Sequence, residues 1–263
     1  MIEKQVTENL SARANLSEIT SFVKSNKKPV DYQKLFGENR LICICERHTL
    51  HSDKDEIIKN VKKFKEMGIT HMAFEMFSED NQSLIDGYLS GKVKRQEILG
   101  ILEGWDKRPG MADKYVDMVD ACKLVGIKIL AIEIPDELYI SKSQSETLGI
   151  RNEKWAMIIN NTLEEDNNAR VLLYCGAFHC GYNMVQDHVN EIFTNRYKKS
   201  SVVIGFAGGE LAKQDPSFLF DLYDKVPYAA KSIKIDNEKF VLRLDEKEAA
   251  RPADYIIHLP QVE

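Results

Sequence analysis

The stretch LICICERHTLH, residues 41–51, joins a short apolar run to a group of ionisable residues. The apolar run has the length and density of a buried β-strand, and the segment after it, 52–68, shows apolar residues at helical spacing. The same alternation continues along the chain, with apolar runs, separated by helical patterns, at 70–75, 127–135, 169–176 and 201–209. This order predicts an α/β fold, an open and mostly parallel sheet flanked by helices.

The two ends of the chain depart from this alternation. We expect residues 1–37 to form a helical segment packed on the outside of one α/β domain, residues 38–263. The C-terminal part contains three strand-like pieces, with a hairpin turn expected at Asn237: AKSIKID (230–236), KFVLRLD (239–245) and ADYIIHLP (253–260). The C-terminal portion of the sheet is therefore expected to be partly antiparallel.

Composition narrows the classes of function. The net charge of −5 and the pI near 5.8 argue against nucleic-acid binding, which needs a basic face. No apolar run approaches the ~20 residues that span a bilayer. The N-terminus is polar and acidic, unlike a secretory or lipoprotein leader, and the five cysteines are odd in number and lie mainly in or beside apolar runs. These features lead us to expect a cytoplasmic protein with reduced thiols.

Ionisable residues recur where the predicted strands finish. The run ICICE ends in Glu46, MAFE in Glu75 and ILAIE in Glu133, while VLLYCGAFH reaches His179 after a glycine turn. The carboxyl ends of parallel strands open on one edge of a sheet, which is where ligands bind in such folds. We therefore expect these four residues and His48 to meet in one crevice.

Each position taken alone favours a structural role, because an acidic residue after a strand often caps the next helix. Together, three carboxylates need a compensating charge. The sequence offers Arg47, Arg151, a bound metal or protonated carboxyls for this purpose. Two histidines with carboxylates suit a divalent ion. They also suit metal-free chemistry, in which an imidazole takes a proton from water and a guanidinium stabilises an oxyanion.

Six motifs in a fixed order resemble the ChaN-like branch of the Tiki and haem-binding-uptake superfamily, over roughly residues 38–260. They are CERH, FEMFSEDNQSLIDGYLSG, GWDKRPGMADKYVDMVDACKLVGIKILAIEIP, IRNEKWAMII, YCGAFHCGY and ADYIIHLP. Matched motif by motif, the resemblance implies the following site residues: Glu46, His48, Glu75, Arg151 and His179. It also reveals a departure, because Cys45 stands where the relatives carry glycine before the first glutamate.

The resemblance implies three functions. Tiki-type members resemble metal-dependent proteases, esterase members hydrolyse a macrolide lactone, and ChaN-type members bind haem. A hydrolase of an ester, lactone or amide would use His48 or His179 as base, with Glu46 and Glu75 orienting it and Arg151 or Arg47 on the oxyanion. A divalent metal would be held by His48, Glu75 and His179.

Haem is the alternative cofactor, with His179 and the cofactor-binding tyrosines Tyr88 and Tyr182 as candidate ligands. The third hypothesis is a binding or effector domain without catalysis. We expect a small-molecule or peptide substrate as partner in the catalytic case. Oligomeric state is not predicted.

Overall fold

The computed structural model describes residues 15–105, 109–135, 144–180, 188–210, 222–244 and 253–261. Its strands are Leu41–Glu46 (β1), His71–Ser78 (β2), Lys128–Glu133 (β3), Val171–Gly176 (β4), Ser201–Gly208 (β5), Phe240–Arg243 (β6) and Tyr255–Leu259 (β7). Its α-helices are Leu16–Asn26 (α1), Tyr32–Phe36 (α2), His51–Glu66 (α3), Gln82–Leu89 (α4), Arg95–Gly100 (α5), Met111–Val125 (α6), Gln144–Glu165 (α7), Val189–Tyr197 (α8) and Leu222–Ser232 (α9). Short 3₁₀ helices cover Glu79–Asn81 and Glu103–Trp105.

The strands form one seven-stranded sheet in the order β3-β2-β4-β1-β5-β7-β6. Every described pairing is parallel except that of β6 with β7, which is antiparallel. The strands β1 and β4 are buried at every position, as expected of central parallel strands covered on both faces. The predicted fold class is confirmed, including the partly antiparallel C-terminal portion.

The strand order determines which strand ends become neighbours. The strand β4 lies between β1 and β2, with Glu46 opposite Gly176 and Phe74 opposite Tyr174. The strand β3 lies on the outer side of β2. The carboxyl ends of β1, β2, β3 and β4 therefore open side by side on one edge of the sheet.

The residues of β1 alternate between the two faces of the sheet. Cys43 and Cys45 join a core cluster that includes Trp155 of α7. Ile42 and Ile44 join the other cluster, built largely with α3 and α6. The strand β1 therefore contributes to the core on both faces of the sheet. It also places Glu46 and the loop after it at the carboxyl edge of the sheet.

The C-terminal prediction was wrong in one element. Residues 222–232 form α9, so AKSIKID is not a strand, and no hairpin joins it to β6 at Asn237. Val226, Ala229 and Ala230 are fully buried, a three-to-four-residue spacing that buries one helix face. The strand β6 pairs instead with the closing strand β7.

Other boundaries moved less. The helix predicted at 150–165 begins at Gln144, and the described part of the helix predicted at 182–193 begins at Val189. Residues 1–14 and 182–187 lie outside the described residues, and the division at residue 37 stays a prediction. All five cysteines are buried free thiols. Within the described ranges, every helix is too short or too polar to cross a bilayer.

Candidate functional site

The structure brings the ionisable strand ends together. Glu46, Glu75, Glu133 and His179 are all buried at the carboxyl edge of the sheet, with 2–7% of each residue exposed. The side chain of His48, in the loop after β1, is 33% exposed. His48 therefore faces solvent from a cluster that is otherwise buried.

Glu46 and His48 form a hydrogen-bonded pair. Nδ1 of His48 lies 2.9 Å from Oε1 of Glu46, which also accepts a 2.9 Å hydrogen bond from the Tyr115 hydroxyl of α6. On the buried side, the Lys54 ammonium of α3 forms an ion pair with Oε2 of the same carboxylate. Burial alone would raise the pKa of Glu46, but the charge of Lys54 and the hydrogen bond to His48 outweigh it and lower that pKa.

The second ring nitrogen of His48 faces another carboxylate. Its Nε2 lies 3.8 Å from Oε2 of Glu75. Burial disfavours the charged imidazolium, but the hydrogen bond to Glu46 and the charges of Glu75 and Glu46 prevail, so the pKa of His48 is raised. Two carboxylates therefore support a proton on this imidazole.

Glu75 is the centre of the network. Its Oε2 accepts a 2.6 Å hydrogen bond from the backbone N–H of Gly176, and its Oε1 accepts one of 2.9 Å from Arg151. Nε2 of His179 lies 3.4 Å from Oε1. Burial would raise the pKa of Glu75, but the hydrogen bond and charge of His179 and the charges of His48 and Arg151 hold it far below its usual range.

Arg151 joins two strand ends. Its Nε donates to both oxygens of Glu133, at 2.9 and 3.0 Å, and its Nη2 contacts Glu133 as well as Glu75. Its guanidinium carbon lies 5.0 Å from the centre of the Trp155 ring. Arg151 is therefore the counter-charge of Glu75 and Glu133. Arg47 meets this network through its backbone, since its N–H donates to Asp53 and its carbonyl accepts from Lys54.

His179 is held more tightly than His48. Its Nδ1 lies 2.7 Å from Oδ1 of Asn152, and its ring packs on Trp155 with centroids 4.1 Å apart. Burial lowers the pKa of His179 in spite of the nearby Glu75. Burial therefore weakens proton binding at His179, while the carboxylate of Glu75 opposes this effect.

Gly176, the last residue of β4, lies close against the imidazole of His48. A Cβ added to Gly176 would lie 2.7 Å from Nε2 of His48 and 3.4 Å from Oε2 of Glu75. The first distance is too short for a carbon atom, so the imidazole occupies space that a side chain would fill. This close approach explains the glycine.

Sequence reasoning missed four residues that hold the site: Lys54, Tyr115, Asn152 and Trp155. Tyr115 and Trp155 lie on apolar helix faces, where an aromatic residue predicts core packing. Trp155 does carry a weak signal, because it lies four residues after Arg151 on the same helix. Asn152 directly follows Arg151, and adjacent helix positions point in different directions, so it carries no such signal. Lys54 carries no such signal, because it lies in a lysine-rich helix whose sequence predicts a solvent-exposed lysine.

Tyr88, one of the two tyrosines proposed as haem ligands, contacts residues of α6. The Tyr88 hydroxyl donates to Asp120 of α6, and Lys123 lies 4.0 Å from the centre of its ring. Tyr182 lies outside the described residues. The role of Tyr88 as a haem ligand remains a prediction, although its hydroxyl already binds Asp120.

A metal cluster is not found in the part of the chain that the structure describes, where no group of three or more His, Cys, Asp and Glu side chains is arranged to hold an ion. In the predicted set, the Glu75 carboxylate already receives Arg151 and the Gly176 N–H. His48 and His179 both turn a ring nitrogen to that carboxylate. The geometry thus gives a divalent metal no support.

The fold and site define an α/β domain with a buried glutamate–histidine–arginine network. A family model described as "Haem-binding uptake, Tiki superfamily, ChaN" matches residues 34–154. Over these residues, which include the first three motifs, the resemblance is confirmed. A search of curated protein sequences finds no match.

The type III effector HopBA1 and a succinoglycan biosynthesis protein are solved structures that share the fold. The type III effector HopBA1 is 14% identical, with a TM-score of 0.61 over 87% of this chain and 91% of that chain. A succinoglycan biosynthesis protein is 11% identical, with a TM-score of 0.62 over 94% of this chain and 97% of that chain. ChaN of Campylobacter jejuni is 14% identical, with a TM-score of 0.48 over 88% of this chain and 92% of that chain. At these identities the similarity concerns the fold alone.

Proposed function

We propose that this protein is a hydrolase of an ester, lactone or amide, in which His48 is the general base that takes a proton from water. The observation that carries the proposal is the 2.9 Å hydrogen bond from His48 Nδ1 to Glu46, on an imidazole that is one-third exposed. A carboxylate on one ring nitrogen fixes the tautomer that leaves the other nitrogen as a proton acceptor. The partial exposure lets substrate and water reach it.

His179 suits a different role. Its side chain is 4% exposed, and its ring is clamped between Asn152, Trp155 and Glu75. An imidazole packed in this position helps to orient Glu75, but it has little access to bulk water. We therefore assign the base to His48 and a positioning role to His179.

Glu75 and Arg151 support the reaction by holding charge. Glu75 lies between the two imidazoles, so it stabilises the imidazolium that forms when His48 accepts a proton. Arg151 already binds Glu75 and Glu133, so its first role is to offset the negative charge of these carboxylates. Direct binding of an oxyanion by Arg151 would require one of those contacts to open. A divalent metal is not needed for any of these roles.

The proposal is tested with the purified wild-type protein on panels of activated esters, lactones and peptides. His48→Asn and Glu75→Gln are expected to lower turnover at least ~100-fold, since general-base catalysis contributes about 10²–10⁴-fold. His71→Asn is the matched control, because His71 begins the same strand four residues before Glu75. Unchanged turnover in both His48→Asn and Glu75→Gln on a substrate that the wild type hydrolyses would refute the mechanism.

Haem binding is the second candidate, favoured by the family model that matches residues 34–154. The described residues fit it poorly, because the Tyr88 hydroxyl binds Asp120 and the ring nitrogens of His179 face Asn152 and Glu75. Tyr182 remains as a candidate ligand. Titration with hemin decides the matter: a saturable Soret shift that Tyr182→Phe removes supports haem binding, and the absence of a shift at micromolar protein excludes it.

A further inference from the structure

Lys54 lies behind the crevice rather than in it. Its side chain is fully buried, its ammonium forms an ion pair with Oε2 of Glu46, and it donates a 2.9 Å hydrogen bond to the Arg47 carbonyl. The same ammonium lies 5.1 Å from the centre of the Tyr115 ring. A buried charge is tolerated only with a partner, so Lys54 and Glu46 form one electrostatic unit.

His48 needs such a unit in order to act as a base. Glu46 on one ring nitrogen and Glu75 near the other both favour the imidazolium, which has no lone pair to accept a proton. Arg151 offsets the charge of Glu75, and Lys54 offsets the charge of Glu46 from the far side.

Besides Lys54 and His48, the described groups that interact with Glu46 or with this ion pair are uncharged or acidic. They are Tyr115 of α6, Tyr174 of β4 and Asp53 of α3. Burial raises the pKa of Asp53 to about 7, even though the charge of Lys54 and the Arg47 N–H oppose this. Within the described surroundings of Glu46, Lys54 is therefore the group that carries the compensating positive charge.

We propose that Lys54 is a positioning residue that keeps His48 available as a proton acceptor, by holding Glu46 in place and offsetting its charge from the buried side. This inference rests on the proposed hydrolase function. It predicts that the proton affinity of His48 is set by a residue that no substrate touches.

The test measures the protonation midpoint of His48 by NMR, with ¹³C-labelled histidine and His48→Gln to assign the signal. Lys54→Met is expected to raise the midpoint by about one pH unit or more, because loss of a buried positive charge strengthens proton binding by the Glu46–His48 pair. The matched control is Lys114→Met. Lys114 precedes Tyr115 in the sequence, and its ammonium forms a 2.5 Å ion pair with Asp55. The Lys114 side chain is 30% exposed, so removal of its charge should leave the midpoint nearly unchanged.

An unchanged midpoint in Lys54→Met, or an equal rise in Lys114→Met, overturns the inference. If Lys54→Met does not fold, the double variant Glu46→Gln/Lys54→Met decides, because removing both charges should restore folding when Lys54 acts through Glu46. A double variant no more stable than Lys54→Met also overturns it.

The midpoint is measured without substrate, so its outcome is separate from that of the hydrolase proposal. An inactive wild type refutes the hydrolase, while the midpoint still decides the coupling of Lys54 to His48. With an active substrate, the acid limb of the pH–rate profile should move to higher pH in Lys54→Met.

Discussion

Gly176→Ala is the most specific perturbation of the site. The new methyl carbon would lie 2.7 Å from His48 Nε2, against ~3.5 Å for a normal contact between such atoms, so the imidazole must move by most of an ångström. Because His48 lies at a partly exposed position, it can swing outward, and the cost in folding stability is small. The 2.9 Å hydrogen bond to Glu46 cannot survive that movement unchanged.

We expect turnover to fall about 100-fold, which corresponds to about 2.7 kcal/mol in the barrier. The NMR midpoint of His48 should fall at the same time, because the imidazolium loses support from Glu46 and Glu75. Gly149→Ala on α7 is the control, since nothing lies within 4 Å of its added Cβ. A Gly176→Ala protein with wild-type turnover and an unchanged His48 midpoint would show that the contact at Gly176 does not position the imidazole.

Three further predictions follow from the same geometry. The pKa of Glu75 is lowered in the folded state, so the ionised carboxylate stabilises the fold above its unfolded pKa of about 4.3, and this stabilisation is lost as the pH falls. In wild type the urea concentration at half-unfolding should therefore decrease with acidification, and Glu75→Gln should make this decrease smaller. Glu79→Gln, which removes a carboxylate from a partly exposed ion pair, should leave the decrease as in wild type. Trp155→Ala should cost about 3–5 kcal/mol in urea unfolding, because the ring is fully buried against His179; a cost below about 1 kcal/mol contradicts this. Phe178, 78% exposed beside His179, should contact apolar substrate groups, so Phe178→Ala raises KM with kcat unchanged; an unaltered KM removes that role.

The strand ends were predictable because parallel strands share an edge, whatever the order of the strands. This one rule placed Glu46, Glu75, Glu133 and His179 together before the order β3-β2-β4-β1 was known. Lys54 and Tyr115 were not predictable in the same way. Their contact with Glu46 depends on how α3 and α6 pack over β1, and sequence periodicity does not determine which buried residue meets which.

The segment AKSIKID, residues 230–236, was predicted as a strand, and its error has the same cause: tertiary packing is not visible in a short stretch of sequence. In AKSIKID, alternating apolar and polar residues suggest a strand, while the buried face of α9 comprises Val226, Ala229 and Ala230 and begins before that segment. The window that looked like a strand thus contained only the end of a helix and the turn after it. Packing of α9 against the core decided the outcome, which tertiary contacts often do for short ambiguous segments.

Cys45 stands at the position of the glycine in the G-E-x-H motif that this stretch resembles, and the structure shows what its side chain contacts. Successive residues of a strand point to opposite faces, so the Cys45 side chain points away from the face that Glu46 presents to Tyr115 and Lys54. Its thiol donates to the carbonyl of Cys180 at 3.2 Å, within the other core cluster. The pairing of β1 with β4 runs in continuous register from Leu41 to Glu46, without a bulge at this residue. The side chain that replaces glycine therefore tethers the residue after His179 and leaves the Glu46–His48 pair undisturbed.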